Sequence, residues 1–145
     1  MGSIFRPHVT LPLPVSKNQR VRIGHRTTWK VAGGRAYEVT KPILRSSKEW
    51  NEYLGNVYLL FTEQQIRIPH PRENERIVLE CLWFLRSDRQ DVSNFHDLLC
   101  DAVKKVIEVD DRWFLVRDLW SEVDEANPRL ELTLYVQKRP TSCSR

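Results

Sequence analysis

A single α/β domain of the mixed α+β type is what this sequence predicts, on three observations. Residues 91–111 place apolar side chains at helical spacing, and residues 43–65 carry a weaker version of that pattern. Residues 77–85 and 130–136 alternate with the period of a strand. The chain has 145 residues, enough for one hydrophobic core of its own. About four strands and two main helices are expected, in one domain over residues 1–137, followed by a basic, disordered tail over 138–145.

Residues 6–13 form the first strand, closed by Pro12 and Pro14. Residues 14–35 read as a basic loop holding Gly24, Gly33 and Gly34, with Trp29 inside it and Tyr37 just after. Cations interleaved with aromatics suit phosphate contacts plus base stacking. A solvated loop with a positive bias is the structural alternative. Residues 43–65 follow as a helix, with Leu44, Trp50, Tyr53, Leu54, Val57 and Phe61 to pack and Gly55 weakening it. Pro69 and Pro71 mark a loop.

Residues 77–85 are apolar on both faces, which predicts a strand in the interior of its sheet. It runs out at Arg86–Gln90 and delivers the chain to Asp91; Arg86 and Arg89 there are placed to hold phosphates. The helix over 91–111 buries Phe95, Leu98, Leu99, Ala102, Val103 and Val106, while Asn94, Asp97 and Asp101 line a different stripe. Residues 113–123 form a strand, Asp124, Asn127 and Pro128 a turn, and residues 130–136 a closing strand. The last two strands are expected to form a hairpin with one wet face.

The formal charge is +4, and its distribution says more than its size. No acid precedes Glu38, whereas Arg6, Lys17, Arg20, Arg22, Arg26, Lys30 and Arg35 all do. Acids predominate from Asp101 to Glu131. A basic end and an acidic end point to a polyanion-binding surface beside a cation-binding one. The three cysteines, Cys81, Cys100 and Cys143, form no C-x-x-C pair and fit free thiols in a reducing compartment. No apolar run reaches membrane-spanning length, and the first residues lack a signal-peptide core, so a cytoplasmic protein without a membrane partner is expected.

Asp91 stands before the helix, Asp101 on it, and Asp110 and Asp111 after it. These carboxylates converge if the following strand packs beside the helix. Clustered carboxylates repel unless a cation joins them, and hard oxygen ligands suit Mg²⁺ or Mn²⁺. Read structurally, the same acids are helix caps and exposed turns. His96 points away from the acid stripe, which favours a surface or packing role over a general base.

The run D-x-x-N at 91–94, Asp101 seven residues on and the pair Asp110–Asp111 resembles the RusA-like Holliday-junction resolvases. LPLPVSKN at 11–18 is similar to that family's opening strand and basic loop, and RLELTLY at 129–135 to its closing strand. The resemblance spans residues 8–137. It implies a mixed sheet, a homodimer, and Mg²⁺-dependent (or Mn²⁺-dependent) hydrolysis of branched DNA such as four-way junctions. It implies that Asp91 and Asp111 hold the metal, with Asp101 as third ligand and Asp110 or Asp97 in support. Lys17, Asn18, Arg20, Arg22, Arg26, Arg86 and Arg89 are then the DNA contacts. Three features depart from the family's pattern: Ser93 stands for a second Asp, Asp97 for a Lys, and the usual Gly between the helix and the Asp110–Asp111 pair is absent. Either the helix acids supply the missing ligand, or the protein binds branched DNA and cuts it poorly.

Overall fold

Strand β4 (Glu75–Leu85) lies inside its sheet because its sequence allows it nowhere else. Ile77, Leu79, Cys81 and Trp83 are wholly buried along one face, and Val78 is buried on the other. The computed structural model describes residues 6–15 and 21–142, and of residues 21–23 and 43–45 the backbone alone. Around β4 are β1 (His8–Leu11), β5 (Phe114–Val123) and β6 (Arg129–Lys138), in the order β1-β6-β4-β5. β4 is antiparallel to β6 and parallel to β5, so the sheet is mixed.

The parallel pair follows from the helix between its strands, since parallel neighbours need a crossover. That helix is α2 (Ser93–Ile107), and α1 (Lys48–Glu63) packs beside it. Trp50, Tyr53, Val57 and Phe61 of α1 and Phe95, Leu98, Leu99, Ala102 and Val103 of α2 are buried. They form one core with the inward residues of β4 and with Leu130, Leu132 and Leu134 of β6. Both helices thus serve one face. The other face is partly open, with Glu80, Leu82 and Phe84 half-buried.

Three expectations are corrected. The basic loop over 14–35 is in its second half a strand: β2 (Val21–Ala32) pairs antiparallel with β3 (Arg35–Ser46) along its whole length. Val, Ile, Thr and Trp in that run favour extended backbone, and Gly33 and Gly34 supply the positive φ of a tight hairpin turn. The first helix does not begin at residue 43. β3 continues to Ser46, and buried Ser47 caps α1, its Oγ accepting from the Trp50 N–H at 3.1 Å. The last two strands are not a hairpin. The chain crosses the end of β4, where the Asp124 N–H donates to the Leu85 carbonyl at 2.8 Å, and β6 enters between β4 and β1. Its fully buried leucines need that interior place, which leaves β5 as an edge.

Candidate functional site

The loop after β4 delivers Asp91 to the start of α2. Its Oδ1 accepts from the Ser93 N–H at 3.0 Å, an N-terminal contact that Val92 cannot make. Hydrogen bonds from the Ser93 hydroxyl and then its N–H hold the Asp91 carboxyl below its usual range. It is an exposed, ionised group at neutral pH. Arg86 and Arg89 are exposed in the same loop. One turn into α2, His96 Nε2 lies 2.7 Å from Asp118 Oδ2, and Trp83 Nε1 donates to Asp118 Oδ1 at 2.7 Å. Asp118 did not stand out in the sequence. It faces His96 through the pairing of β4 and β5, whose register shifts beside Cys81.

Past α2, Glu108 takes a left-handed conformation (φ 57°) and turns the chain into a 3₁₀ turn, Asp111–Trp113. The Arg112 N–H donates to Asp110 Oδ1 at 3.0 Å. That bond first, and then a hydrogen bond with the Asp111 carboxyl, holds Asp110 low. Lys104 Nζ stands 3.4 Å from Asp111 Oδ1. Burial, followed by Asp111, Asp101 and Asp97 around it, pushes the Cys100 thiol up to about 11. The acid stripe of α2 and Asp111 therefore share one neighbourhood. A broad groove at this end is lined by Arg72, Arg76, Lys138 and Arg139 with Glu73 among them; of these the sequence marks only Lys138 and Arg139, as part of a basic tail.

Asp91 and Asp111 do not converge within one chain. Ile77 pairs with Phe114 and Leu85 with Val123, so β5 begins beside the start of β4. Asp91 follows the far end of β4 and Asp111 precedes the near end of β5. Eight strand residues cover roughly 26 Å and a 15-residue helix about 22 Å, so the two carboxylates are separated by the height of the sheet. The strand does pack beside the helix, but a parallel crossover sends the two ends of the helix to opposite ends of the strands. Among the described residues, no group of three or more His, Cys, Asp or Glu is arranged to hold a metal ion. The donors are of the right kind for a hard divalent cation, and one chain does not assemble them.

Of the expected DNA contacts, Lys17, Asn18 and Arg20 lie outside the described residues. Arg22 is placed by its backbone on β2, and Arg26 is exposed there. Among the described residues no helix is long and apolar enough to cross a membrane. The chain matches the family model described as Endodeoxyribonuclease RusA over residues 12–135. No curated protein matches it.

Proposed function

We propose, for a chain that belongs to the RusA endodeoxyribonuclease family, that it cuts branched DNA as a metal-dependent homodimer whose sites are each shared between two copies. The observation that carries this reading is the opposed placement of Asp91 and Asp111 on either side of an open sheet edge. β5 has a partner on one side only, and it exposes Leu115, Leu119, Trp120 and Val123. An uncovered, apolar edge strand is a template for pairing with another chain.

A two-fold axis at that edge pairs β5 antiparallel with its copy. The start of one β5 then lies beside the end of the other. That brings Asp111 of the partner subunit to the end where Asp91 stands, and the reverse happens on the other side. Two sites result, each flanked by Arg86 and Arg89 of one copy and the cationic groove of the other. Paired sites suit a four-way junction, where two strands are cut symmetrically. Asp101 and Asp97 lie on the ridge that leads to Asp111 and can add a carboxylate. Bound there, Mg²⁺ or Mn²⁺ supplies a Lewis acid and an activated water. The protein's part is to present ionised oxygens and to hold the phosphates with arginines.

The test is a labelled four-way junction incubated with the protein, with and without Mg²⁺ or Mn²⁺. Wild type is expected to cut only with metal. Asp91→Asn and Asp111→Asn are each expected to abolish cutting while leaving the fold intact, with a melting temperature unchanged or slightly lower, since Asp91 accepts from Ser93 and Asp111 pairs with Lys104. Full activity in either variant removes that residue from the site. A second reading, junction binding without efficient cutting, is favoured by Ser93, Asp97 and the Lys104 that pairs with Asp111. An inert wild type that gains activity with Ser93→Asp and Asp97→Lys would select it.

A further inference from the structure

The β2–β3 ribbon has two different faces. In an antiparallel pair, residues directly opposite one another share a face. Arg26 stands opposite Lys41, Lys30 opposite Tyr37, and Arg35 opposite Ala32, all on one side. Trp29 stands opposite Glu38 and Val31 opposite Ala36, on the other. Four cations therefore share a face with no described acid. Trp29 and Val31 stand on the reverse face, 71% and 75% exposed.

The ribbon's two strands pair with each other and not with the main sheet. At the tip, a Cβ placed on Gly33 or Gly34 would meet nothing within 4 Å. Twelve residues per strand reach roughly 40 Å, longer than one turn of B-DNA, and a two-stranded ribbon fits the major groove. Among the described residues, none of Arg26, Lys30, Arg35 and Lys41 is in an ion pair. Such an arm contributes little to the core. The reverse face carries exposed Trp29 and Val31, with Glu38 opposite Trp29, and is not what a phosphate-binding surface requires.

We propose that the ribbon enters the branch point of the junction, with Arg26, Lys30, Arg35 and Lys41 along the phosphates and Trp29 stacked on a base left unpaired there. The inference rests on the reading of this protein as a branched-DNA endonuclease. Charge selects the occupant: a cationic face with no described acid takes a polyanion. Only a nucleic acid offers, within one ribbon width, phosphates for one side and a flat apolar base for the other. A fully stacked duplex hides its bases, whereas a branch point can release one.

Binding is measured in EDTA, so that cutting does not intrude, on a four-way junction and on a linear duplex of equal length. The junction carries 5-iodouracil at the branch point. Wild type is expected to prefer the junction and to crosslink at Trp29. Trp29→Ala should lose about ten- to a hundredfold in junction affinity, leave duplex affinity unchanged, and lose the crosslink; Trp29→Phe should retain most of both. Replacing Arg26, Lys30, Arg35 and Lys41 together by Ala should weaken both DNAs and flatten the log-affinity against log-salt slope by about 3.6. Melting curves should match wild type throughout, because the ribbon stands apart from the core. An unchanged junction preference in Trp29→Ala, or a crosslink mapped elsewhere, overturns the proposal. So does a loss of dimer mass in Trp29→Ala, which would make the apolar face a contact between copies. A wild type that cuts junctions while Trp29→Ala is indifferent sinks this inference alone. A wild type with no preference for junctions sinks the endonuclease reading as well.

Discussion

Asp118 accepts two hydrogen bonds at once, from the Trp83 indole and from His96, each at 2.7 Å. It ties the interior strand, the helix and the edge strand together at one point. The His96 ring lies tilted at 45° to Trp83, which itself stacks on Phe95. The packing role expected for His96 therefore has a specific partner. Asp118→Ala leaves a buried indole N–H and the half-buried imidazole without their acceptor. The expected cost is about 1–2 kcal/mol, read as a melting temperature lower by roughly 3–6 °C. A melting temperature within one degree of wild type would show that water replaces the carboxylate without loss. Asp91, Asp101 and Asp111 could be picked out of the sequence because their spacing along the chain carries the pattern. Asp118 could not, because its contacts depend on the register of β5 against β4 and on the irregularity beside Cys81. The groove of Arg72, Arg76, Lys138 and Arg139 was hidden for a similar reason: they come from two strand ends that only the sheet brings side by side.

At the scale of elements, the best-read parts of the chain are those with strong periodicity. β4, α2 and β6 stand where the sequence puts them, within a few residues at their ends. The ribbon was missed because cations dominate its composition and mask β-branched residues between them. The hairpin of β5 and β6 was wrong because a turn between two strands does not require that they pair. The end of α2 shows a local conflict resolved at a cost. Glu108 holds a left-handed conformation that suits glycine. Glu108→Gly is expected to stabilise the protein by about 0.5–1 kcal/mol, seen as a higher midpoint in urea with an unchanged slope. A lower midpoint would mean that the Glu108 side chain makes a contact worth more than the strain. Asp111 leaves the helix three residues later, so the same substitution also tests how firmly that turn holds the carboxylate.

At the scale of the whole molecule, one chain has a closed core on one face of the sheet and an open edge at β5. The family was legible from the order of four short motifs, none specific alone. The separation of Asp91 from Asp111 was not, because sequence spacing does not say whether a strand after a helix runs beside it or returns to the far end. β5 parallel to β4 decides that question: the ends of α2 stand at opposite ends of the sheet. In the proposed dimer, a shared site follows from the two-fold axis and not from any motion of the chain. It also makes cutting depend on association, so that activity per chain should fall on dilution below the dimer dissociation constant.

Mixing Asp91→Asn with Asp111→Asn tests the shared site most directly. In a mixed dimer, the Asp111→Asn chain brings an intact Asp91 to the intact Asp111 of the Asp91→Asn chain. One site is whole and the other carries both substitutions. With random exchange, half of the dimers are mixed, so about a quarter of the wild-type sites should return. Each variant alone should be inert on a four-way junction in Mg²⁺, and the exchanged mixture should cut at about that fraction of the wild-type rate. If Asp91 and Asp111 of one chain serve the same site, no chain in the mixture has both, and a mixture as inert as its parts would contradict the account.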